Sequence, residues 1–84
     1  MSARERVIRS LTASIEGACE RVLAPGAVPG SRYYPVSQRE RDAAYAAELL
    51  TALDTAYALE SSVHSALLTR VREACADVGV EVVR

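Results

Sequence analysis

Helix-breaking residues are gathered into one short stretch of this 84-residue chain. Pro25, Pro29 and Pro35, together with Gly26 and Gly30, fall within residues 25–36, and from Val36 to Val78 there is neither proline nor glycine. Proline fixes φ and removes an amide donor, so 25–36 reads as a semi-rigid connection between two segments that are free to be helical. The chain therefore reads as all-α.

Each segment opens with its own start signal. Ser2 and Glu5 form the S-x-x-E pattern in which hydroxyl and carboxylate satisfy orphan amides of a first turn, and Ser37 with Glu40 repeats it after the connection. In the first segment Ile8, Leu11, Ile15, Ala18 and Val22 alternate in steps of three and four, which predicts a helix over about residues 3–24. In the second, Tyr45, Leu49, Ala52, Ala56, Leu59, Val63, Leu67, Val71, Ala74 and Val78 keep helical spacing throughout and predict one helix over about 38–78. A neighbouring stripe, Ala46, Leu50, Leu53, Tyr57, His64, Leu68 and Cys75, gives that helix a second contact face. Gly79 has the position of a C-terminal cap, and residues 80–84 form a short β-prone tail that one chain alone cannot pair.

A helix over 38–78 spans roughly 60 Å, whereas a compact monomer of this length is only about 30 Å across. Helix 1 is half as long and covers only the first half of helix 2. Leu59, Val63, Leu67, Leu68, Val71 and Ala74 are then left as self-association candidates. The expected fold is a helical hairpin of one short and one long helix, two of which assemble as an antiparallel homodimeric four-helix bundle. The alternative is a monomeric three-helix bundle, with helix 2 broken in two near Glu60, Ser61 and Ser62, so that helix 1 and the two halves are about 22, 22 and 17 residues long. Cys19 and Cys75 separate the two: the long hairpin holds them tens of Å apart within a chain, and the three-helix bundle brings them to one end.

Composition supports a partner and removes several functions. Half the residues are hydrophobic, but there is no Phe or Trp and only two isoleucines, so the core is built from small side chains that each bury little area. A formal net charge of -1 argues against a general nucleic-acid binder. No run approaches the roughly 18 apolar residues of a membrane span, and Arg4, Glu5, Arg6 and Arg9 are followed by no signal-peptide core, which predicts a cytoplasmic protein. All ten basic residues are arginine, with neither Lys nor Asn anywhere, a bias expected of a GC-rich genome, bacterial or phage. Two cysteines make neither a disulfide framework nor a metal site, so no metal or cofactor is expected.

Chemistry gathers at one corner. Arg32, Tyr33, Tyr34, Arg39 and Arg41 put cations and phenols at the start of helix 2, where arginine forks and unpaired amides suit an anion or an acidic peptide; Glu40 and Asp42 interleave as neutralising charges. Elsewhere the residues read as structural: Glu60 lies one turn before His64, as an i, i+4 pair, and the cysteines occupy apolar stripe positions. If two long helices crossed at their midpoints, Glu60 and His64 of both chains would meet in a pH-responsive layer. No catalytic constellation is visible. Small dimeric helical enzymes with arginine-lined sites are comparable in size, but here the long helix comes second and no lysine is available. The expected function is that of a non-catalytic helical interaction protein, an adaptor or accessory subunit acting through self-association and a second protein. A small DNA-binding or anion-responsive regulator is the alternative, and a small helical enzyme the third reading.

Overall fold

The computed structural model describes residues 1–28 and 30–81. Ser2 and Glu5 close the expected capping box: the Glu5 amide donates to Ser2 Oγ at 3.1 Å and the Ser2 amide to Glu5 Oε1 at 3.0 Å. Helix α1 follows over Ala3–Leu23, two single 3₁₀ turns occupy Pro25–Ala27 and Ser31–Tyr33, and α2 runs over Val36–Tyr57. The second capping box does not form. Pro35, extended at ψ 163°, takes the N-cap position, and its carbonyl accepts from the Gln38 and Arg39 amides. Ser37 thereby becomes the second residue of the helix, and no side chain caps its start.

The largest departure from expectation lies in the second half. A continuous helix over 38–78 is replaced by α2 and a separate α3 over Ser61–Val78, joined through Ala58–Glu60. The three helices have 21, 22 and 18 residues, the lengths of the three-helix alternative. No glycine or proline makes this break. Ala58 enters the left-handed region at φ 49° and its amide still reaches Asp54 O at 2.8 Å, while the Asp54 carboxylate turns back to accept from the Leu59 amide at 3.0 Å. Arg4 of α1 adds a bond from Nη2 to the Tyr57 carbonyl at 2.6 Å, satisfying an end of α2 from a neighbouring helix. Left-handed backbone in alanine costs about 1–2 kcal/mol. Folding α3 back to bury several aliphatic side chains, at about 1.5–3 kcal/mol each, outweighs that strain.

The core takes four side chains from each helix: Ile15, Ala18, Cys19 and Val22 from α1, Ala43, Ala46, Leu50 and Leu53 from α2, Leu67, Val71, Ala74 and Cys75 from α3. On α2 the inward line belongs to the second sequence stripe, and Tyr45, assigned to the first, is 49% exposed. On α3 the inward line is mainly the first stripe. The break permits this exchange, because each half sets its own rotation toward α1. No buried polar or charged residue interrupts the core among the described residues. The molecule has a radius of gyration of 13.0 Å and measures 40 × 27 × 16 Å, so the 60 Å helix that called for a partner is absent.

The proposed self-association surface changes character accordingly. Leu67, Val71 and Ala74 are buried within their own chain, Leu59 and Leu68 pack against the core, and of the six Val63 alone is exposed, at 36%. At the end of α3, Gly79 at φ 74° sends its amide to Ala76 and Cys75 carbonyls, and the Val80 amide reaches Cys75 O at 2.8 Å, a Schellman-type stop. Val80 packs on the core without forming a strand; the rest of the expected tail, residues 82–84, lies outside the described residues. No helix among the described residues is long and apolar enough to cross a membrane.

Candidate functional site

The Arg/Tyr corner divides into an internal part and an outward part. Asp42, on the first turns of α2, is the hub of the internal one. Its carboxylate accepts from the Tyr34 hydroxyl and from Gln38 Nε2 at 3.2 Å, with Arg21 Nε of α1 at 3.8 Å. Partial burial, and then the bond to Asp42, push the Tyr34 phenol up to about 12. Tyr34 therefore stays protonated as a donor and ties the connection to α2.

Arg39 is also internal. Its Nη2 donates to the Val22 carbonyl at 2.7 Å, near the end of α1, and pairs with Asp77 near the end of α3. One guanidinium on α2 thus holds two neighbouring helices at ends where carbonyls lack helical partners. The side chain is 19% exposed and its Nε is buried, with no partner among the described residues, so it offers little to a ligand from outside.

Three candidates remain accessible. Tyr33 is 75% exposed, and the Arg32 guanidinium lies over its ring at 4.9 Å. Val36, one turn on and not singled out in the sequence, is 61% exposed. Arg41 is exposed and donates to Gln38 Oε1 at 3.1 Å. On the α1 side, where Arg21 joins the Asp42 network, an open hollow of about 500 Å³ is lined by Gly17, Glu20, Arg21, Ala24, Ala27 and Val28. The corner thus keeps an aromatic ring, a stacked cation and apolar surface in contact with solvent. The five residues named from the sequence do not converge on one anion site.

Glu5 is held below the ordinary carboxylate value by its bonds from the Ser2 amide and hydroxyl. His64 does not pair with Glu60, whose backbone carbonyl instead starts α3 by accepting the His64 amide. Its Nε2 lies 3.9 Å from Asp54 Oδ2, across the α2–α3 break, so the polar layer expected between two chains is a contact within one. Both cysteines are buried and free. Burial pushes the Cys19 thiol up to about 11, with the nearby Cys75 a smaller contribution in the same direction; Cys75 is raised by burial and donates to the Ala43 carbonyl at 3.6 Å. Their shared end of the core is the arrangement of the three-helix alternative. Among the described residues no group of three or more His, Cys, Asp or Glu is placed to hold a metal ion.

Asp42, Asp54 and Asp77 are the residues that sequence reading passed over. Asp42 was visible as a neutralising charge one turn after Gln38, but its bond to Tyr34 needs the 3₁₀ turn that brings the ring back. Asp77 lies 38 positions from Arg39 and has no local signal at all. Comparison with protein-family models, with curated proteins and with solved structures finds no match for this chain.

Proposed function

We propose that the chain is a non-catalytic helical interaction protein whose contact point with a second protein is the Arg32–Tyr33 corner. The observation that carries this reading is the 75% exposure of Tyr33 with Arg32 stacked upon it. An aromatic ring left in water forgoes burial that a partner's pocket would supply, and stacking restrains the arginine before contact, lowering the ordering cost. Tyrosine and arginine are the residue types that most often dominate binding energy when they become fully desolvated. Exposed Val36, at the start of α2, adds apolar surface close in sequence to such an anchor. The rest of the corner, with Tyr34 and Arg39 tied into the bundle, supplies the rigid base.

A photoreactive phenylalanine analogue at position 33, introduced in cells that carry the native gene, tests the reading. The expected result is one dominant protein adduct that disappears with Arg32→Glu while the melting temperature is unchanged. Absence of any protein adduct overturns it. Retention on DNA with a steep salt slope, lost with the same Arg32→Glu change, would instead select the regulator, since phosphate contacts release counterions and a protein contact of this size does not.

A further inference from the structure

Beyond the corner, one helix face carries a charge pattern that is complementary to itself. The outer surface carries charge on α1, with Arg4, Glu5, Arg6 and Arg9, and on the second half of α3, with Arg70, Arg72, Glu73 and Asp77, all exposed; the first half of α3 exposes Ser61, Ser62, Val63, Ser65, Ala66 and Thr69. After Arg41, the exposed positions of α2 are Tyr45, Glu48, Thr51, Ala52, Thr55 and Ala56, with a single charge among them. Arg41, Ala44, Tyr45, Glu48 and Ala52 recur at the spacing that puts them on one stripe. Its one cation and one anion sit symmetrically about the Ala44–Tyr45 pair, one turn to either side.

We propose that this face docks on the same face of a second copy of the chain, antiparallel, about a two-fold axis passing between Ala44 and Tyr45. In that register each Arg41 lies opposite the partner's Glu48, and each Tyr45 lies opposite the partner's Ala44, a large side chain against a small one. Other registers are penalised by charge. A parallel pair sets Arg41 against the partner's Arg41, and an antiparallel pair centred one turn toward either end opposes two arginines or two glutamates. The receiving surface is already concave: Ala44, Ala47 and Thr51 floor an open hollow of about 400 Å³ walled by Val80. Glu81 lines the same hollow as Glu48, so an incoming Arg41 meets two carboxylates. Alanine at the contact also lets the helix axes approach toward the close end of the usual 8–10 Å range.

The stripe from Arg41 to Ala52 is only about 18 Å long, so the dimer belongs to the small, concentration-dependent class. It deepens the interaction reading by naming one partner, yet uses a face separate from Arg32 and Tyr33. Sedimentation equilibrium on the full chain from about 10 µM to about 1 mM gives the test. A monomer–dimer equilibrium is expected. Arg41→Glu or Glu48→Arg alone should raise the dimer Kd about tenfold, since two exposed pairs turn from attractive to repulsive, and the double variant R41E/E48R should restore it. Tyr45→Ala should also weaken the dimer, with circular dichroism confirming that each variant stays helical. A chain that remains monomeric at about 1 mM leaves the face to a different partner and overturns the proposal. So does a dimer indifferent to both single reversals, or a double variant no tighter than the singles. Arg32→Glu should leave the Kd unchanged, so failure here and failure of the corner reading give different results.

Discussion

Arg39 and Arg41 lie two positions apart and have opposite roles. Arg39 joins the Val22 carbonyl to Asp77 across three helices, whereas Arg41 donates to Gln38 on its own helix. Arg39→Ala removes two charge-assisted bonds and should cost about 1.5–3 kcal/mol of unfolding free energy. Arg41→Ala, on the surface, should change it by less than about 0.5 kcal/mol, and urea denaturation of the two variants in dilute solution measures both. The buried thiols and Tyr34 make a second residue-scale prediction. Their folded pKa values are raised, so the folded state retains these protons longer than the unfolded chain does, and stability is full below the unfolded values near 9 and 10. It should fall as pH rises through about 11 for Cys19 and about 12 for Tyr34. Thermal melts at stepped alkaline pH should show this loss, reduced in Cys19→Ala. At neutral pH both thiols should resist alkylation until denaturant is added, because the thiolate is the nucleophile and burial disfavours it. The apolar setting of the cysteines was legible from their stripe positions; the internal use of Tyr34 and Arg39 was not, since their partners arrive from other elements.

At the scale of elements, α1 is the helix whose sequence and structure agree most closely. Its capping box, stripe and stop before Pro25 are all local, and all within the reach of neighbouring residues. The α2–α3 break is the opposite case. Residues 54–60 contain neither glycine nor proline, so nothing local compels a stop; Asp54 supplies a cap to Leu59 only once Ala58 has left the helix. Ala58→Gly should relieve the left-handed strain and, after glycine's greater unfolded-state entropy, stabilise the bundle by roughly 0.5–1 kcal/mol. Asp54→Ala should destabilise it by about 1 kcal/mol, through loss of the Leu59 amide's partner. Chemical denaturation resolves both signs. If the two changes shifted stability in the same direction, the break would not be held in the way described.

For the whole molecule, the question raised by a small-residue core is whether one chain can close it. Three helices contribute equally to the core, with twelve buried side chains among the described residues, and Leu67, a self-association candidate on the long-helix reading, is 2% exposed within its own chain. Leu67→Ala should therefore cost about 2–4 kcal/mol by the cavity it leaves, and the cost should be the same at dilute concentrations tenfold apart. A loss that grew on dilution would return Leu67 to an interface between chains. By itself the sequence determined that the chain is helical, where its first helix begins and ends, where the Pro/Gly connection lies, and which small apolar residues are available for a core, because each of these follows from φ restriction, capping and 3.6-residue periodicity over a few neighbouring positions. Only the tertiary structure decided that the second segment folds in two, which of its stripes faces inward, and which arginines are left free. Those outcomes depend on burial against distant helices: the gain from packing α3 on α1 and α2 exceeds the strain at Ala58, and that comparison is made between residues far apart in the chain.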